Sequence, residues 1–196
     1  MKINRCLGIT ALVLLISELV LFLLSWILSA TMTEGVRSLL SSDGIRWFFG
    51  SFTYVLASPL LVWLILALIA LGCLQKSGLL SMHQTYREKV ALRVALAFLI
   101  FYIVIILLLT AFPHAILLSA TGALFPSAFS HSLVPVIAFG IVVFSIIFGL
   151  MSGRISTLAE IMTVLSFGIQ KGAPLFIVYI LLIQLYESLW FVFGGF

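Results

Sequence analysis

The sequence predicts an all-α integral membrane protein with five transmembrane helices. Of its 196 residues, 64% are hydrophobic and only 8% charged, against roughly 25% charged in ordinary soluble domains. A water-soluble globule with so little polar surface would expose large apolar patches and aggregate. The apolar residues also come in five continuous runs, at 7–30, 55–75, 90–112, 133–153 and 173–193. Each is close to the roughly 20 residues that a helix needs to cross hydrocarbon. None alternates polar with apolar residues as the strands of an outer-membrane barrel do. Finally, Lys and Arg segregate. With the N-terminus in the cytoplasm, Lys2, Arg5, Lys76, Arg87, Lys89, Arg93, Arg154 and Lys171 share one side, and only Arg37 and Arg46 the other. Positive charge gathers on the cytoplasmic side, so the expected orientation is N-in, C-out. Deleting any one span would scramble that pattern.

The first run follows Lys2 and Arg5 like a signal peptide, but its 24 residues exceed the usual apolar core of about 7–15. It reads as a span. Segment 34–47 sets Val36, Leu39, Leu40 and Trp47 among charges, which predicts a short amphipathic helix lying in the outer interface. Trp47, Phe48, Phe49, Phe52 and Tyr54 form an aromatic belt beside it. Ser58-Pro59 is expected to break or kink the entry to the second run. Segment 113–132 carries no Lys, Arg, Asp or Glu, as suits an outer loop. Segment 155–170 mixes apolar and polar residues at helical spacing and predicts a second amphipathic helix, on the cytoplasmic side. Gly172-Ala173-Pro174 should interrupt it before the fifth run. The chain reads as one transmembrane domain, 1–196.

The net charge of +4 reports loop orientation and not nucleic-acid binding. Cys6 and Cys73 belong to no CxxC pair or Cys/His cluster and read as small apolar fillers. His83, His114 and His131 are scattered, with no paired-ligand spacing. No nucleophile elbow, Walker or dinucleotide motif is present. The sequence therefore predicts no enzyme, no metal and no cofactor.

Two acids stand inside apolar runs: Glu18 near the middle of the first, and Glu187 in the fifth. Intramembrane acids are expensive and mark functional positions by default. Gln184 lies one turn before Glu187, and Ser188 follows Gln184 by four, so these polar residues share much of one helix face. A hydrogen-bonded seam to another helix or subunit is the favoured reading; a proton or cation site is the alternative. Gly149 and Gly153 form a GxxxG pattern, which permits close helix packing, internally or between copies.

Three stretches then point to a family. Residues 36–47 (VRSLLSSDGIRW), the pair Ser58-Pro59 followed by QKSGLL at 75–80, and FGLMSGRI at 148–155 resemble, in order, segments of the p-aminobenzoyl-glutamate transporter (AbgT) family. Ala91-Leu92-Arg93 is similar to the start of a scaffold span. The Asn/Ser/Thr-rich hairpin motifs that bind ion and substrate in such transporters have no counterpart in the sequence. The resemblance thus implies an AbgT-like scaffold or accessory subunit of a bacterial inner membrane, without autonomous transport. Its expected partners are the lipid bilayer and either a second copy or other membrane subunits, not nucleic acid. The alternative is a small secondary transporter, or proton- or ion-coupled subunit, for p-aminobenzoyl-glutamate-like organic anions, using Glu18 and Glu187.

Overall fold

The computed structural model describes residues 2–32, 35–81, 85–111 and 128–194. They form α1 (Lys2–Ala30), α2 (Ser42–Gly50), α3 (Phe52–Leu56), α4 (Pro59–Lys76), a 3-10 turn (Leu79–Ser81), α5 (Tyr86–Ala111), α6 (Ala128–Ser152) and α7 (Leu158–Phe193). Among the described residues there is no strand. The five long helices α1, α4, α5, α6 and α7 are each long and apolar enough to cross a membrane. The protein is therefore an all-α integral membrane protein, as its composition predicts. Apolar side chains cover most sides of these helices. On α1, Leu12, Val13, Leu15, Ile16, Leu19, Val20 and Leu23 are all exposed, a surface that only hydrocarbon solvates well.

Several boundaries differ from the sequence reading. The second span starts at Pro59, not at 55, because Val55 and Leu56 belong to the short α3. Proline lacks an N–H and suits a first helical position, where that donor would have no partner. The amphipathic helix expected over 34–47 lies instead at Ser42–Gly50. Ser41 caps it, its Oγ accepting from Gly44 N at 3.0 Å. The residues before it are held outside the helix by long-range bonds: Arg37 N–H donates to Val192 O, and Leu39 N–H to Ser25 Oγ at 3.1 Å. Gly44 is required there, since a Cβ would strike the Ser38 and Leu39 carbonyls.

The largest difference concerns 155–193. The expected amphipathic helix and the fifth span are one continuous helix of 36 residues, with Pro174 inside it. Proline removes one helical hydrogen bond and crowds the carbonyl four residues earlier, here that of Gln170. A full break where the chain enters lipid would leave several backbone groups unpaired, which costs more. The helix start is fixed by a reciprocal box. Thr157 Oγ1 accepts from Glu160 N, and Glu160 Oε2 accepts from the N–H groups of Ser156 and Thr157.

The described chain divides into two compact units. Unit 1 comprises Met1–Leu61 and Gly172–Phe196, and unit 2 Val62–Lys171. In unit 1, buried Leu21, Leu39 and Val192 pack with Phe22, Val36, Trp47, Leu185 and Phe191. Trp47 stacks on Phe191 at 4.4 Å, and Phe48 meets Phe22 edge-on. These two members of the predicted aromatic belt are thus packed inward, whereas Phe49 and Tyr54 remain outward, 76% and 86% exposed.

In unit 2, Cys73, Ile155 and Val164 form one cluster, and Ala91, Ala95 and Phe148 another. Cys73 is indeed a buried filler, whereas Cys6 is exposed. Backbones touch where α4 crosses α7: a Cβ at Gly72 would strike the Gly168 backbone, and one at Gly168 the Leu68 carbonyl. The α5–α6 pair is tied by Tyr102, whose hydroxyl donates to Val136 O at 2.9 Å. Gly140 leaves room for that ring.

Candidate functional site

The polar residues singled out in the first and fifth runs meet in unit 1. Glu18, Leu21 and Ser25 follow one another at helical spacing along α1, and Gln184, Ser188 and Val192 do so along α7. Ser188 Oγ donates to Glu18 Oε1 at 2.6 Å. Further along, Leu21 packs with Val192, so the two helices run parallel. Ser25 closes the seam by donating to Phe22 O and accepting from Leu39 N. Gln184 is only 5% exposed and Ser188 fully buried. Among the described residues, Glu18 Oε2 and both polar atoms of the Gln184 amide are buried without a hydrogen-bond partner. Beside the seam lies a groove of about 300 Å³ lined by Ile16, Ser17, Val20, Leu21, Leu24, Leu185 and Leu189.

Chemically, this seam can clamp two helices through a charge-assisted or acid–hydroxyl hydrogen bond, which is worth most where water is excluded. The remaining carboxyl oxygen and the amide give it spare donor and acceptor capacity. Glu187, the neighbour of Ser188, is half-buried, and its side chain makes no hydrogen bond or ion pair among the described residues. The structure therefore joins Glu18 to Ser188, sets Gln184 on the same face, and leaves Glu187 outside. A second polar tie in this unit links the Ser58 and Tyr179 hydroxyls at 2.7 Å, with Tyr179 donating to Leu56 O.

Gly149 and Gly153 serve a helix end. Gly153 has φ +78°, the left-handed region that only glycine enters freely. Gly153 N–H donates to Leu150 O and Arg154 N–H to Gly149 O, which closes α6 in a Schellman motif. The space beside Gly149 is filled by Ile155, and that beside Gly153 by the Arg87 guanidinium. Both fillers come from this chain, so the glycines pack internally.

The ion pair of Arg154 Nη2 with Glu88 Oε1 at 2.7 Å was not anticipated from sequence. Arg154 Nη1 also donates to Gly78 O, and Arg87 Nε to Met151 O. These bonds gather the ends of α4, α5 and α6 in unit 2. The only signal was an acid, Glu88, amid the basic 87–93 segment. His83 and His114 lie outside the described residues, as do the side chain of His131 and most of the predicted 113–132 loop. Among the described residues no three His, Cys, Asp or Glu side chains cluster as metal ligands would. Compared with protein-family models, with curated proteins and with solved structures, the chain matches none.

Proposed function

We propose that this chain is an AbgT-like scaffold or accessory subunit of a bacterial inner membrane, acting as a dimer or within a membrane complex and without enzymatic activity. The observation that carries this reading is the Glu18–Ser188 hydrogen bond. It commits an intramembrane acid to holding α1 against α7, which is a structural use of an expensive residue. The groove beside the α1–α7 seam, and a second of about 290 Å³ between α5 and α6 lined by residues such as Leu99, Ile103, Ile106, Val136 and Ile141, are almost wholly aliphatic, which suits helix or lipid contact better than an organic anion. Parallel packing of the first and last long helices favours an odd number of crossings between them and agrees with five alternating spans; the segregation of Lys and Arg supplies the N-in, C-out sense.

A small proton- or ion-coupled transporter for p-aminobenzoyl-glutamate-like anions is the second reading. The spare Glu18 oxygen and unpartnered Gln184 amide favour it, because buried polar groups without partners recur at sites that bind or relay. Reconstitution separates the two. Alone in liposomes, the chain should move no p-aminobenzoyl-glutamate in response to a proton gradient. Purified from native membranes in mild detergent, it should carry a stoichiometric membrane partner or a second copy, cross-linked through cysteines scanned along 173–193. Robust uptake that Glu18→Gln abolishes would replace the first reading with the second.

A further inference from the structure

Unit 2 holds six cationic side chains, Lys76, Arg87, Lys89, Arg93, Arg154 and Lys171, against two acids, Glu88 and Glu160. Both acids are engaged, Glu88 by Arg154 and Glu160 by the N–H groups that open α7. Two of the cations are drawn together from different helices. Lys76 Nζ stands 5.5 Å from the centroid of the Phe167 ring, and Lys171 Nζ 5.9 Å from the same centroid. Lys171 Nζ also donates to Gln75 Oε1 at 2.9 Å. Neither ammonium meets a carboxylate among the described residues. Two like charges near one ring repel each other, and an anion placed between them would relieve that repulsion.

Its position selects the anion. Lys76 is the last residue of an apolar helix of 18 residues, which puts its ammonium at the edge of the hydrocarbon, where lipid phosphates lie. Exposed Leu71 sits one turn below Gln75 on α4. Polar donors are thus continuous with apolar surface running into the membrane, as a headgroup and its acyl chain require. We propose that Lys76, Lys171 and Gln75, gathered around Phe167, bind the phosphodiester of an anionic phospholipid. Phe167 holds both ammoniums through its π face, and the Gly72–Gly168 crossing beside it fixes the distance between the two helices.

The test uses the full chain in nanodiscs of phosphatidylcholine doped with phosphatidylglycerol, with retained lipids counted by native mass spectrometry. Phosphatidylglycerol should be retained preferentially. The pair Lys76→Gln/Lys171→Gln should lower that preference about 30-fold, roughly fivefold for each basic residue lost at a membrane surface. Lys76→Arg/Lys171→Arg should keep it, and so should Lys89→Gln/Arg93→Gln, which removes the same charge elsewhere in the unit. Equal loss from both glutamine pairs, loss from the arginine pair, or no preference in the parent chain would each overturn the proposal. So would displacement of phosphatidylglycerol by inorganic phosphate at matched concentration, which would mark a free-anion site.

Discussion

The α4–α7 crossing makes the sharpest mechanical prediction. A Cβ added at Gly168 would lie 2.6 Å from the Leu68 carbonyl carbon and 3.0 Å from Gly72 Cα, and closer still to the Leu68 oxygen. Carbon atoms rest at about 3.5–4.0 Å, so the two backbones must part by about 1 Å. Every atom met is backbone, and no rotamer change can relieve the clash. Forced overpacking of this kind costs about 1–3 kcal/mol, or roughly 5- to 150-fold in the unfolding equilibrium. Buried Cys73 reports the local separation, because it lies beside Val164 with its Sγ 3.8 Å from that residue's carbonyl oxygen. In a Cys6→Ser background, Gly168→Ala should lower the melting temperature in detergent and speed maleimide labelling of Cys73. Gly8→Ala, which meets open space, should do neither. Gly149→Ala meets only the flexible end of Ile155 and should fall between them. A Gly168→Ala protein as stable as its parent, with Cys73 still unreactive, would refute the backbone-contact account.

Other perturbations probe the seam, the helix end and the topology. Ser188→Ala should lower stability by about 1–3 kcal/mol by stranding the Glu18 carboxyl, whereas Gln184→Leu should raise it by removing an unpaired buried amide; chemical denaturation in mixed micelles reads both signs. Gly153→Ala should cost about 1–2 kcal/mol because the Schellman motif needs a left-handed residue, measured by the same denaturation. Reporter fusions after Thr85 and after Gly194 should give opposite signals, with Thr85 cytoplasmic; matching signals would contradict five alternating spans.

Much of the fold follows from sequence because lipid makes the rule simple. A backbone that cannot bond to water must satisfy itself within a helix, so a run such as 7–30 or 90–112 determines its own structure with little help from neighbours. The ends were harder to read. Gly172-Ala173-Pro174 carries every local sign of a break, yet α7 continues through it, since local preference counts for less than the cost of unpaired backbone in hydrocarbon. Segment 34–47 has an amphipathic pattern, but residues 36–41 lie outside the helix, where Ser25 and Val192, far away in sequence, take up the N–H groups of Leu39 and Arg37. The Thr157-x-x-Glu160 box was present in the sequence and does set a helix start.

For the candidate site, sequence alone determined which polar residues are costly: Glu18, Gln184 and Glu187 each stand where lipid offers no partner. Tertiary structure decided which of them are joined. Glu18 and Ser188 are 170 residues apart in sequence, and only the parallel packing of α1 and α7 brings their oxygens to 2.6 Å. Glu187, one residue before Ser188, is turned by about 100° around the helix and misses that contact. The same reason separates the glycines. GxxxG at Gly149 and Gly153 is conspicuous in sequence but ends a helix, while Gly72 and Gly168, which share no local pattern, form the close crossing. Composition and periodicity fix what each helix can tolerate along its own axis; which faces meet depends on rotations and register that only the assembled helices set.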